Sequence, residues 1–169
     1  LFGIIMFVAL IFQIVKDKSK LVNSTVTVFK WLVITVFIVH TIGLIARWYI
    51  SGHAPWSDTY ETMLYVAWST MFFGLGFGRK SNLTIASATF VVAIILLFAH
   101  ENWLDPSIAN LQPVLNSYWL MIHVAVIVAS YGPFILGMIL GTVSLFLMIF
   151  TKAENKEKMS LNIQELTVV

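Results

Sequence analysis

Apolar residues in this chain fall into long runs separated by short polar breaks. Five runs stand out, at about 1–15, 26–50, 62–77, 83–99 and 118–150. Within each, hydrophobic side chains follow one another without the strict alternation that strands of a membrane barrel require. Runs of this kind read as helices crossing ~30 Å of hydrocarbon, because a helix satisfies its own backbone hydrogen bonds in lipid. The third and fourth runs are at the short end for spanning, and the fifth is long enough to cross with tilt or to project beyond the bilayer. The expected fold is an all-α integral membrane protein with about five transmembrane helices, part of a larger helical bundle. The chain opens at Leu1 inside an apolar run, with neither the basic stretch before it nor the small-residue cleavage site after it that a signal peptide needs. The expectation is therefore a piece of a longer polypeptide, with residues 151–169 as a tail or linker on the cytoplasmic side.

Composition reinforces this reading. Of 169 residues, 59% are hydrophobic and 11% charged, where a soluble domain carries roughly a quarter of its residues as Asp, Glu, Lys or Arg. There is no cysteine, so any ligation of a metal or cofactor by this chain falls to His, Met, Tyr or carboxylates. The placement of charge is more informative than the net +2. Lys16, Lys18, Lys20 and Lys30 surround the first break, Arg79 and Lys80 the third, and Lys152, Lys156 and Lys158 follow the fifth run. With alternating helices those positions share one side, leaving Arg47 as the lone cation of ten on the other. The positive-inside rule then turns Ser51–Glu61 and His100–Ser117 outward.

The outward segments are rich in aromatics and turn formers. Gly52 and Pro55 end the second helix. Asp58 with Glu61 three residues on resembles a capping box for the third, with Ser57 an equally good cap. Trp48, Tyr49, Trp56 and Tyr60 suit an interfacial aromatic belt, and Trp103, Tyr118 and Trp119 continue it on the second outward segment. Such rings also stack on a flat ligand, whose metal an imidazole can hold.

Candidate chemistry concentrates on few residues. His123 lies about one turn and a half into the fifth helix and shares a face with Trp119 at i−4. It serves either as a ligand or as a donor to a neighbouring carbonyl. His40 lies near the middle of the second helix with Gly43 and Arg47 on its face. An imidazole at that depth must face protein, water or a ligand, so an interhelical hydrogen bond and a cofactor contact both remain open. Arg47 either snorkels to the interface or pairs with a carboxylate, such as a heme propionate, Asp58 or Glu61. His53 and His100 read as loop-bracing or solvated residues. No phosphate-cradling loop, HExxH motif or nucleophile elbow is present, and the basic residues lack the aromatic interleaving of a nucleic-acid binder.

The stretch from Arg47 to Glu61, Arg-Trp-Tyr-Ile-Ser-Gly-His-Ala-Pro-Trp-Ser-Asp-Thr-Tyr-Glu, together with Tyr118-Trp119-Leu120-Met121-Ile122-His123-Val124 and Ser130-Tyr131-Gly132, resembles the CcsA (ResC) family of cytochrome c assembly membrane proteins. The resemblance spans most of residues 30–150 and corresponds to the N-terminal portion of the CcsA part. In its fused form the family is the CcsBA heme exporter and cytochrome c synthase. The resemblance implies system II cytochrome c biogenesis, in which heme b is brought to the outer side and joined to the CXXCH thiols of apocytochrome c. It implies a CcsB (ResB)-type membrane partner, fused or separate, and residence in a bacterial cytoplasmic membrane, or a thylakoid membrane in a plastid. For His123 it implies an axial ligand to heme iron on the periplasmic side; Trp119, Arg47 and His40 stand beside it as candidate heme contacts by residue type and position, and His40 is not matched to a histidine of the family. The family's WGxxWxWD-type signature and second outer histidine do not occur in these 169 residues, so the chain would supply at most half of a bis-histidine site and would not form thioether bonds alone. Two other readings compete: a cytochrome b-like electron carrier using His40 and His53, and a transporter or structural subunit whose histidines serve packing.

Overall fold

The computed structural model describes Ile5 and residues 20–79, 81–101, 105–108 and 117–150. The first apolar run, apart from Ile5, and the tail at 151–169 lie outside the described residues. Four helices follow in order: α1 (Lys20–Ser51), α2 (Thr59–Phe77), α3 (Asn82–His100) and α4 (Tyr118–Phe150). All secondary structure among the described residues is helical.

Helix α1 starts six residues before its apolar run. The polar positions Lys20, Asn23, Ser24 and Thr25 tolerate a helical backbone, so the apolar run marks the lipid-facing length and not the end of the helix. Gly52 terminates α1 with φ 71°, and its N–H donates to the Trp48 carbonyl at 3.0 Å; only glycine takes that conformation at little cost. Helix α2 begins at Thr59 with Asp58 at the N-cap, but the Asp58 side chain makes no capping bond. The Glu61 carboxylate instead accepts the Ser57 N–H at 3.2 Å, and the Ser57 hydroxyl donates to the Ala54 carbonyl at 2.8 Å. The expected capping box is thus displaced by one residue, because Glu61 is held elsewhere.

Val26–Ser51, Asn82–His100 and Tyr118–Phe146 are long and apolar enough to cross a membrane. Helix α2 equals α3 in length at 19 residues, about 28 Å at 1.5 Å per residue, but is less apolar, with Glu61, Ser69 and Thr70 all fully buried. It is the central helix, in contact with α1, α3 and α4. Register follows from small residues. Gly74 meets Ala88 and Gly78 meets Ile85, so α2 and α3 run antiparallel; Gly132 meets Thr70 and Gly74 faces Leu136, so α2 and α4 run parallel. Between α1 and α2, the Trp68 indole N–H donates to the Thr41 hydroxyl at 2.9 Å, and Phe37 stacks on Trp68. Met71, Ile85, Ala86, Ala88 and Leu136 form the buried centre.

Lipid tails are as apolar as leucine, so helices in a bilayer gain little by hiding apolar surface and depend on close backbone approach. Gly132 is the clearest instance: a Cβ there would lie 2.7 Å from the Thr70 nitrogen and 2.8 Å from the Ser69 hydroxyl. Backbone cannot yield as a flexible side-chain tip can. Gly132→Ala is therefore expected to destabilise the bundle by about 1–3 kcal/mol, read as a lower thermal midpoint of the detergent-solubilised protein, while Gly137→Ala, where a Cβ meets nothing within 4 Å, leaves the midpoint within about 0.5 kcal/mol.

Candidate functional site

The antiparallel and parallel registers bring the C-terminus of α1, the 52–58 loop and the N-termini of α2 and α4 to one end of the bundle, where residues 105–108 also pack. At its centre is Glu61, fully buried. The Arg47 Nε–H donates to Glu61 Oε1 at 2.8 Å, with the Arg47 side chain 16% exposed. Its two terminal nitrogens donate to the carbonyls of Pro106, at 3.1 Å, and Ser107, at 3.2 Å. The guanidinium also lies 5.3 Å from the centre of the Tyr60 ring, within cation–π range. One side chain thus joins α1, α2 and the 105–108 segment. The carboxylate expected opposite Arg47 is, within this chain, Glu61.

His53 is buried in the loop. Its Nδ1 lies 3.3 Å from the Ala54 carbonyl and 3.7 Å from Glu61 Oε2, and its backbone exchanges hydrogen bonds with the Ser51 hydroxyl. It braces the turn and sits off the helix that carries His40, so the two do not form a ligand pair along one helix face. Outside the bundle core, Asp105 accepts the Ser107 N–H at 2.9 Å, and this bond holds its carboxyl below the usual carboxylate range.

The expected aromatic belt divides in two. Tyr49, Tyr118 and Trp119 are exposed, as an interfacial belt requires. Trp56 turns inward: its indole N–H donates to the Met121 carbonyl at 3.1 Å, and its ring packs between Trp48 and Tyr65 at centroid distances of 5.7 and 4.8 Å. Nothing in the sequence distinguished Trp56 from its neighbours, because the partner is a main-chain atom 65 residues away.

The remaining candidates occupy two places. His40 opens on a groove of about 390 Å³ lined by Gly43, Leu44, Arg47, Tyr60, Leu64 and Ile108 among others. Its Nε2 is buried with no hydrogen-bond partner among the described residues, and a Cβ at Gly43 would meet nothing within 4 Å. His123 and Trp119 are both exposed on α4, one turn apart on one face. Among the described residues no three His, Asp or Glu side chains gather into a metal-ion site.

An all-helical bundle in which three helices are long and apolar enough to cross a membrane, with aromatic side chains gathered at one end, is the architecture of a helical membrane protein. Residues 56–169 match the family model for cytochrome C assembly protein, and the chain belongs to that family. It is 50% identical over 114 residues to protein NrfI of Wolinella succinogenes, covering 68% of this chain and 13% of that protein. It is 34% identical over 122 residues to the cytochrome c biogenesis protein CcsA of Prochlorococcus marinus strain MIT 9312, covering 70% of this chain and 40% of that protein. The CcsA of Ranunculus macranthus is 34% identical over 120 residues, 65% of this chain and 36% of that protein. The chain thus spans well under half the length of these relatives, and its place is in cytochrome c biogenesis.

Because Glu61 has no exposure and three segments converge on its partner, removing either charge strands the other. Glu61→Ala is expected to cost about 3–5 kcal/mol, measured as the unfolding midpoint in detergent. Replacing both, as Arg47→Met with Glu61→Leu, is expected to recover most of that loss, and a double-mutant cycle on the two positions yields the coupling directly.

Proposed function

We propose that this chain handles heme in cytochrome c assembly, with His123 as one axial ligand to the iron and Trp119 against the porphyrin. The observation that supports this most is the state of His123. Its imidazole is exposed on α4, with no hydrogen bond to the described residues holding its ring nitrogens. An imidazole kept clear of protein partners is ready for a metal, and an indole one turn away is suited to cover a flat macrocycle. Both fit heme.

Bound there, heme b would supply the vinyl groups that thioether attachment consumes. The chain's own part is to hold and orient. Arg47, spent on Glu61 and two loop carbonyls, shapes this end of the bundle, and His40 in its groove is a second place where an imidazole nitrogen lacks a hydrogen-bond partner among the described residues. The second axial ligand, the thiols of apocytochrome c and a CcsB-type partner come from outside these residues, as in a system II synthase. The cation distribution supports an orientation with His123 on the outer side, away from Lys30 and Arg79.

The test is heme content and absorption spectrum of the full-length protein carrying His123→Gly or His123→Met. Loss of heme, or a changed ligand-field spectrum that free imidazole restores in His123→Gly, is the expected result. An unchanged content and spectrum removes His123 as a ligand, and a spectrum that follows His40→Leu instead moves ligation to the α1 groove.

A further inference from the structure

Between Tyr118 and Ile127 one side of α4 is open: Tyr118, Trp119, Ile122, His123, Val126 and Ile127 are all exposed. Close backbone packing of α4 on α2 begins lower, at Gly132, about 13 Å along the axis from His123. What reaches the fourth residue of the helix is the Trp56 indole, whose N–H meets the Met121 carbonyl at 3.1 Å. A helix carbonyl has two lone pairs, so Met121 can take this bond in addition to its own helical one.

Trp56 is itself tightly fixed. Its N–H donates to the Ala54 carbonyl at 2.8 Å, its carbonyl accepts the Thr62 hydroxyl at 3.3 Å, and Trp48 and Tyr65 flank its ring. Ala54 in turn belongs to the loop that ends at the buried Arg47–Glu61 pair. A rigid donor therefore grips α4 two residues before His123. Two residues correspond to about 200° around the helix, so Trp56 holds the side roughly opposite the imidazole. Any rolling of the outer turns about the helix axis carries His123 through the same angle.

We propose that Trp56 is a positioning residue for His123, setting the direction in which the imidazole faces through its bond to the Met121 carbonyl. This rests on the reading of His123 as a heme ligand. The sequence around Trp56 presents it as one more interfacial aromatic, yet its N–H is spent on a specific carbonyl.

The test uses the full-length protein with Trp56→Phe, which keeps an aromatic ring and deletes the N–H, and with Trp56→His, which returns a ring N–H. In heme-free protein, amide hydrogen exchange over residues 118–126 is expected to quicken in Trp56→Phe by about fivefold, the effect of losing one neutral hydrogen bond. In heme-loaded protein, Trp56→Phe is expected to retain heme with a spectrum displaced toward that of His123→Gly and restored by free imidazole. Trp56→His is expected to bring both readouts back toward the parent. Parental exchange in Trp56→Phe overturns the proposal. Faster exchange with a parental spectrum also overturns it, leaving Trp56 a packing residue. Failure of the ligand reading shows separately, as a parental spectrum in His123→Gly itself, and overturns both.

Discussion

The end of this bundle where α1 finishes and α2 and α4 begin depends on one buried charge. Glu61 sits at no exposure, where an isolated carboxylate would cost many kcal/mol, so the surrounding chain is obliged to bring a cation and donors to it. Arg47 meets that demand with a planar fork whose three nitrogens reach a carboxylate and two carbonyls at once. A lysine could make the charge contact and not the geometry. The consequence is architectural: the end of α1, the turn through His53, the start of α2 and the 105–108 segment take their places relative to Glu61. A pair of this kind adds little net stability over a well-packed apolar substitute, and what it contributes is a single arrangement of segments that apolar contacts alone would leave loosely specified.

Below that end, packing relies on small residues. Gly74, Gly132 and Ala88 let α3 and α4 approach the central α2 closely enough for dispersion to act, which is how helices associate where lipid offers the same apolar surroundings as protein. Helix α2 is less apolar than α3 and α4 and packs against all three other helices. Its Ser69 and Thr70 hydroxyls donate to the Val66 carbonyl within their own helix, so burial leaves them satisfied.

The proposed heme contact lies at the boundary between these two regimes. The close-packed part of α4 and its open N-terminal part meet between Val128 and Gly132, and His123 is on the open side. Its surroundings in the described residues comprise an anchored face, held through Met121, and a free face carrying Trp119. Relatives of this chain extend well beyond the portion matched here.

Much of the architecture was legible in the sequence because a bilayer constrains it so strongly. Continuous apolar runs can only be helices there, so helix type, their order and the extents of α2, α3 and α4 followed to within a few residues, and Gly52 ended α1 where it had to. His123 and Trp119 could be paired by spacing alone, since i and i+4 share a helix face. Partners distant in sequence were not legible. Arg47 had three eligible carboxylates, and the antiparallel register of α1 and α2 selected Glu61, whose other oxygen accepts the N–H of Ser57 in place of that of Asp58. Trp56 was indistinguishable from the tryptophans around it until the parallel register of α2 and α4 set a main-chain carbonyl opposite its N–H. Solvent and local geometry act on each residue separately and leave their mark in the pattern of the chain; which donor meets which acceptor depends on how helices are laid side by side, and only the tertiary structure decides that.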